Sequence, residues 1–337
     1  MKLPKTKLAA LVISSLGIIT SMPASASLSV FQTFVGNTDV STAGCGSTTQ
    51  NCNLTINIAP AGSTILGAYL YTSTFSNSGA PVGNTLDGNT VTYSTALGVI
   101  LSNSLQAFRA DVTSIVSSKV GAGSGAFTFA MHETASNQDG EALVVVYRNA
   151  ALTGTRTVAI LDGFSAPTGD TATVNFSQPI DKTVAGFVAE MRLGIGFSFD
   201  GTGCTTSGQT SQVTVNGTRI TNNAGCNDKS IDASPANGNL FTMGADGDPF
   251  SPLLPTTAQD HERYDLTNQI VQGATSIKVD TLNQSNDDNI FLEVFKVTGS
   301  AGVNAPPPDG KVPEPGSLAL FGLGLAGLVR RLKAKRS

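Results

Sequence analysis

The chain contains no tryptophan, two histidines and four cysteines, and no stretch approaches the twenty or so consecutive apolar residues that a permanent helical membrane span requires. Aromatic residues make up 6% of the total. Dedicated sugar-binding clefts stack their ligands on exposed rings, so this shortage argues against a lectin of that kind. There is no G-x-S-x-G elbow, no H-E-x-x-H helix and no phosphate-binding P-loop, and the sequence nominates no glycosidase-like carboxylate pair. No Cys-x-x-Cys spacing occurs and neither His132 nor His261 lies near a cysteine, which argues against structural zinc. Basic residues are scarce in the interior: between the two termini twelve Lys and Arg face twenty-three carboxylates, a net charge of about −11. Such a body is expected to repel nucleic-acid phosphates, and its carboxylates either attract divalent cations or simply keep it soluble.

What basic charge remains is gathered at the two ends. Lys2, Lys5 and Lys7 precede the apolar stretch LAALVISSLGIIT and the small-residue sequence PASAS, the pattern of a secretory signal peptide over residues 1–26. Ala24 and Ala26 occupy the A-x-A positions read by signal peptidase, so cleavage after Ala26 leaves Ser27 as the new terminus. Export to an oxidising compartment suits the cysteines, which fall into two close pairs set among Gly, Ser, Thr and Asn. Proximity suggests the disulfides Cys45–Cys52 and Cys204–Cys226, one of three possible connectivities.

The body reads as all-β. Segments such as ILGAYLYTSTF, EALVVVYRNA, RTVAILDGF, MRLGIGFSF, SIKVDTL and NIFLEVFKV are short, rich in β-branched and aromatic residues, and bounded by turn formers. Only AEMRLG and ALGVILSNSLQAFRADVTSIVSS have helical potential, and the latter reads as a mixed loop with a short helical turn before Asp111. Two landmarks recur in the same order. TLDGNTVT (85–92) matches TVNGTRIT (214–221), and each carries a tight-turn dipeptide, Asp87-Gly88 and Asn216-Gly217. Arg109-Ala-Asp111-Val-Thr113 matches Arg263-Tyr-Asp265-Leu-Thr267, each followed by a strand, an acidic loop and an apolar strand. The repeat predicts two related antiparallel sandwich or jelly-roll-like units, residues 27–150 and 151–298, in tandem or fused as one body.

Within the repeated element, Asp111 and Asp265 are expected to close Asx-turns or cap a helical turn. Oxygen-rich loops offer candidate calcium ligands: Asp246 and Asp248 in ADGDPFSP, Asp287 and Asp288 in SNDDN, and Asn137, Asp139 and Glu141 in SNQDGE. None follows the twelve-residue EF-hand pattern. His261, in QDHERYD, is expected in a solvated polar loop, and His132 on a strand face among polar groups.

A Gly/Ala/Pro linker over residues 299–312, with Pro306–Pro308 favouring an extended spacer, leads to the C-terminal segment 313–337. Here Pro313-Glu314-Pro315 is followed by fourteen apolar and small residues, Gly316 to Val329, and by the basic tail RRLKAKRS. Motif, short apolar helix and basic tail together resemble the PEP-CTERM sorting signal. The resemblance implies export across the inner membrane of a Gram-negative bacterium and transient membrane insertion of the segment, with the basic tail cytoplasmic. It implies recognition at Pro313, Glu314 and Pro315 by an exosortase that then removes the tail. A segment meant to be discarded need not be long enough to anchor permanently. The body, through FRADVTSIV and DGEALVVVY, is also similar to uncharacterised β-domains found ahead of this signal. Exosortase-sorted proteins are associated with exopolysaccharide and biofilm. The expected role is therefore structural or adhesive in that matrix, without enzymatic activity and with calcium as the one candidate cofactor. A secreted hydrolase of extracellular polysaccharide is the alternative.

Overall fold

The structure, a computed structural model, describes residues 28–303 apart from 47–50, 76–77, 101–104, 135–136, 167, 197–210, 226–240, 257–258 and 284–288. The expected signal peptide with Ala24 and Ala26, the Cys204–Cys226 pair, Asp287 and Asp288, most of the linker and the entire sorting segment lie outside the described residues.

The described chain is built of antiparallel sheets. After β1 (Ser29–Gly36), a five-stranded sheet forms from β2 (Thr38–Cys45), β4 (Thr64–Thr74), β7 (Thr95–Ile100), β8 (Leu105–Asp111) and β10 (Gln138–Arg148), in the order β2-β10-β4-β8-β7. It packs on a four-stranded sheet ordered β3-β9-β5-β6, made by β3 (Asn51–Ile58), β5 (Thr85–Leu86), β6 (Asn89–Thr90) and β9 (Gly125–His132). Leu54, Ile56, Phe129 and Met131 of the smaller sheet meet Leu70, Phe108, Leu143 and Val145 of the larger in one buried core. Alternation along β3 and β9 sends the intervening polar residues of the smaller sheet outward, whereas β4 and β10 of the larger are buried on both faces. The Cys45–Cys52 disulfide joins the end of β2 to the start of β3 and so ties the two sheets at one end of the sandwich.

The second half repeats the plan. Its large sheet uses β11 (Arg156–Asp162), β13 (Ala189–Gly196), β16 (Phe241–Met243), β17 (Arg263–Asp265) and β19 (Asn289–Thr298). The small sheet uses β12 (Thr171–Phe176), β14 (Ser211–Val215), β15 (Thr218–Ala224), β18 (Ser276–Asn283) and β20 (Ala301–Val303). The order β2-β10-β4-β8 recurs as β11-β19-β13-β17, and β3-β9-β5-β6 as β12-β18-β14-β15. Both landmark turns fall where the repeat puts them: Asp87 and Gly88 take φ of 49° and 74°, Asn216 and Gly217 take 47° and 81°. This left-handed pair is what a two-residue hairpin of matching twist requires. Asp111 Oδ1 accepts from the Thr113 amide at 2.9 Å and Asp265 Oδ1 from the Thr267 amide at 2.8 Å, the expected Asx-turns.

The two sandwiches stack through their large sheets, giving four layers. Tyr69, Tyr71, Ala142, Val144 and Val146 of the first pack on Val158, Ile160, Phe241, Phe291 and Val294 of the second, a third core as buried as the other two. β1 lies in the first half of the sequence yet pairs with β11 of the second sandwich. Its Phe31 sits edge-on to Tyr69 with centroids 4.9 Å apart, under the Arg109 guanidinium, so β1 clasps both sandwiches.

Two segments depart from the sequence expectation. The stretch read as a mixed loop before Asp111 supplies β7 and β8, and the helix α1 (Thr113–Val120) follows Asp111 instead of preceding it. AEMRLG is the central strand β13, every residue buried, because cross-strand packing outweighs the helix propensity of Ala, Glu, Met and Arg.

Candidate functional site

One exposed surface has a regular chemical pattern. Along β3 the outward residues are Asn51, Asn53, Thr55 and Asn57; their partners on β9 are His132, Ala130, Thr128 and Ala126. Thr55 and Thr128 hydroxyls lie 2.8 Å apart, and His132 Nδ1 lies 2.7 Å from Asn51 Oδ1. The result is a sheet face of amides and hydroxyls along β3, with Thr128, His132 and two alanines on β9 and the Lys119–Asp87 ion pair bonded to the β9 backbone beside it, backed by the core and held at one end by the disulfide. A hollow of about 270 Å³ opens on it, lined by Asn51, Asn53, Thr85, Gly88 and His132. A second hollow of about 490 Å³ lies between the β5–β6 turn and α1, where Lys119 Nζ meets Asp87 Oδ2 at 2.5 Å. His132 is thus on a strand face among polar groups, as expected.

The carboxylates of ADGDPFSP are at the seam between the sandwiches. Asp246 accepts from the Arg192 guanidinium, from the Ser41 hydroxyl and, at 3.4 Å, from the Thr42 amide. Arg192 is 2% exposed, and its Nε donates to Glu190 Oε1 at 2.6 Å. Glu190 is also contacted by Arg263 at 2.8 Å and Lys296 at 3.1 Å, and Lys296 reaches on to Asp39 at 3.2 Å. Burial alone would raise the Glu190 pKa, but Arg192, Lys296 and Arg263 outweigh it and hold the group at about 2. Asp248 Oδ2 accepts from the Ala245 amide at 2.7 Å and so closes its own loop. Asp246 and Asp248 are therefore neighbours in sequence that serve separate structural bonds. Among the described residues no group of three or more His, Cys, Asp or Glu side chains is assembled as a metal cage.

QDHERYD is not the solvated loop that its charge suggests. Asp260, His261 and Glu262 are 1%, 8% and 0% exposed. Asp260 accepts from Tyr264 at 2.7 Å, while Glu262 takes the Gly225 amide and the Thr242 hydroxyl, both at 2.8 Å. Burial, partly opposed by Asp260, lowers the His261 pKa. Sequence reasoning read Glu141 as part of a polar loop and did not single out Glu293, yet both carboxylates are buried, one inside each sandwich. Glu141 and Glu293 occupy corresponding positions, since Glu141 pairs with Cys45 of β2 and Glu293 with Leu161 of β11, and each has one oxygen without a hydrogen-bond partner. The only local signal was an acidic residue at the head of ALVVVY, Glu141, and one inside IFLEVF, Glu293.

The fold is an all-β body of antiparallel sheets with one polar outer face, and the tail is where a known family is matched. Residues 311–336 match the family model described as the PEP-CTERM protein-sorting motif. The chain therefore carries a tail whose motif implies exosortase-dependent export to the cell surface, as its resemblance suggested. A search of the curated proteins finds no match to the chain.

Proposed function

We propose that the exported body is a non-enzymatic structural or adhesive component of the exopolysaccharide matrix, and that it grips polysaccharide through the Asn/Thr face of β3 and β9. The observation that carries this reading is that face: a row of uncharged donors and acceptors at every second residue of β3, flanked by Thr128 and His132 on β9, suits repeated hydroxyls along a chain better than one small molecule in a cleft. The sorting motif supports this reading because it implies export to the cell surface. In this account signal peptidase removes residues 1–26, and the apolar segment dwells in the inner membrane of a Gram-negative cell. Exosortase then acts at Pro313, Glu314 and Pro315.

The test is co-sedimentation of the purified protein with isolated exopolysaccharide. Replacing Asn51, Asn53 and Asn57 together by Ala leaves their strand partners in place and should abolish most of the bound fraction. Undiminished binding by this variant would refute the assignment of the face. Release of reducing sugar ends by the wild-type protein would favour a hydrolase instead.

A further inference from the structure

Inside the first sandwich, where β4 and β9 end and β10 begins, three carboxylates gather: Glu133, Asp139 and Glu141 are 3%, 3% and 0% exposed. Among the described residues none of them forms an ion pair. Glu133 is near enough to raise the proton affinity of both others, on top of burial. Buried carboxylates ordinarily have a cation or several donors facing them.

The neighbours are arranged to hold one side of the group and leave the other open. Glu141 Oε1 accepts from the Tyr93 hydroxyl, from Gln138 Nε2 and, at 3.5 Å, from Asn84 Nδ2. Asn84 Oδ1 in turn accepts from the amide and the hydroxyl of Thr134, each at 3.0 Å, which fixes the segment carrying Glu133. Yet Glu141 Oε2 and Glu133 Oε1 are buried with no partner. So is Thr74 Oγ1, on the strand position paired with Gln138 and on the same face of β4 as Thr72, which takes the Gln138 amide at 2.8 Å. Three buried oxygens at one end of one sandwich lack donors, a local excess of lone pairs that protein groups do not answer.

We propose that this end of the first sandwich binds a single calcium ion, with Glu133 and Glu141 as its two charged ligands and neutral oxygens, Thr74 Oγ1 among them, completing the shell. Two carboxylates plus hydroxyl, amide and water oxygens are the donor set of a hard ion; Cys45, across from Glu141, is committed to its disulfide, and His132 is turned to the outer face of β9, so neither offers a zinc or copper ligand. A donor set with two charged members is not the ready cage of three or more that is missing among the described residues. Calcium tolerates irregular oxygen shells where magnesium demands an octahedron, and weak sites suffice outside the cell. The ion would fasten the end of β9 to β4 and β10, next to the disulfide that fastens β2 to β3.

The experiment is calcium calorimetry on the purified full-length chain after EDTA treatment and dialysis, together with terbium luminescence excited through tyrosine. Terbium replaces calcium, and the Tyr93 ring lies against Glu141. The proposal expects one calcium per chain and saturable terbium emission displaced by calcium chloride. In Glu133→Gln, an isosteric change at an oxygen that has no partner to lose, affinity should fall by more than about tenfold. Tyr93→Phe should silence the emission while the calorimetric stoichiometry stays at one. Absence of calcium heat in the wild type, or an affinity unchanged by Glu133→Gln, overturns it. The exposed control Asp280→Asn should bind as the wild type does; if it loses binding equally, the ion is elsewhere and the assignment fails.

Discussion

Glu293 offers a direct reading of how burial governs this fold. It lies in the second sandwich, 1% exposed, between Leu161 of β11 and Leu193 of β13, with Oε2 unbonded. Burial first, and the charge of Asp170 second, raise its pKa from 4.5 to about 8. The folded chain therefore keeps this proton until about pH 8, while the unfolded chain releases it near pH 4.5. Between those values the native state binds more protons, so the group's contribution is fully present below pH 4.5 and is lost as pH rises through 8. Every tenfold difference in proton affinity between the two states is worth about 1.4 kcal/mol, so the loss reaches about 4 kcal/mol at pH 8 and about 5 kcal/mol above it. Glu293→Gln keeps the shape and cannot ionise. Urea unfolding of both proteins at pH 5, 6.5 and 8 should give near-equal stabilities at pH 5 and a variant more stable by about 4 kcal/mol at pH 8. Glu133 and Asp139, raised to about 7 and about 8, titrate in the same window but are common to both proteins and cancel in the difference. Parallel pH dependences, or a variant less stable at pH 8, would refute the reasoning.

Two further substitutions test the seam. Asp246→Ala strips a carboxylate from the fully enclosed Arg192 and should cost about 3–5 kcal/mol in denaturant unfolding, whether or not calcium is present; a loss reproduced by EDTA alone in the wild type would assign Asp246 to an ion instead. Phe291→Ala removes a ring packed at 5.2 Å from Phe241 between the two sandwiches and should cost about 3–5 kcal/mol. Calorimetry should then resolve two transitions where the wild type has one; a single unshifted transition would mean that the sandwiches do not stabilise each other.

The legible parts of this protein were those encoded locally. Alternating runs identify strands without reference to any partner, and the Asp87-Gly88 and Asn216-Gly217 dipeptides announce their turns because few other residues tolerate that backbone. Those turns and the two Asx elements were enough to reveal the duplication. What sequence could not carry was decided by distant neighbours. Glu141 and Asp139 read as part of a polar loop, yet a bulge between Gln138 and Gly140 starts β10 early and carries them inside. Asp246 read as an ion ligand because Arg192, 54 positions away, is invisible as its partner until β13 and the loop after β16 are placed. The polar face was legible in principle: in NCNLTINI the amides and threonine recur at every second position, a period that marks a strand with one wet face.

The account stands on the tail as an address, and intact mass spectrometry of the protein recovered from the surface and medium of its own cells tests that most directly. The predicted species begins at Ser27 and ends near Pro313-Glu314-Pro315, without the apolar segment or the basic tail, and Glu314→Ala or loss of the exosortase leaves the chain uncut in the membrane. A surface-exposed species that extends to Ser337 in cells with active exosortase would contradict it.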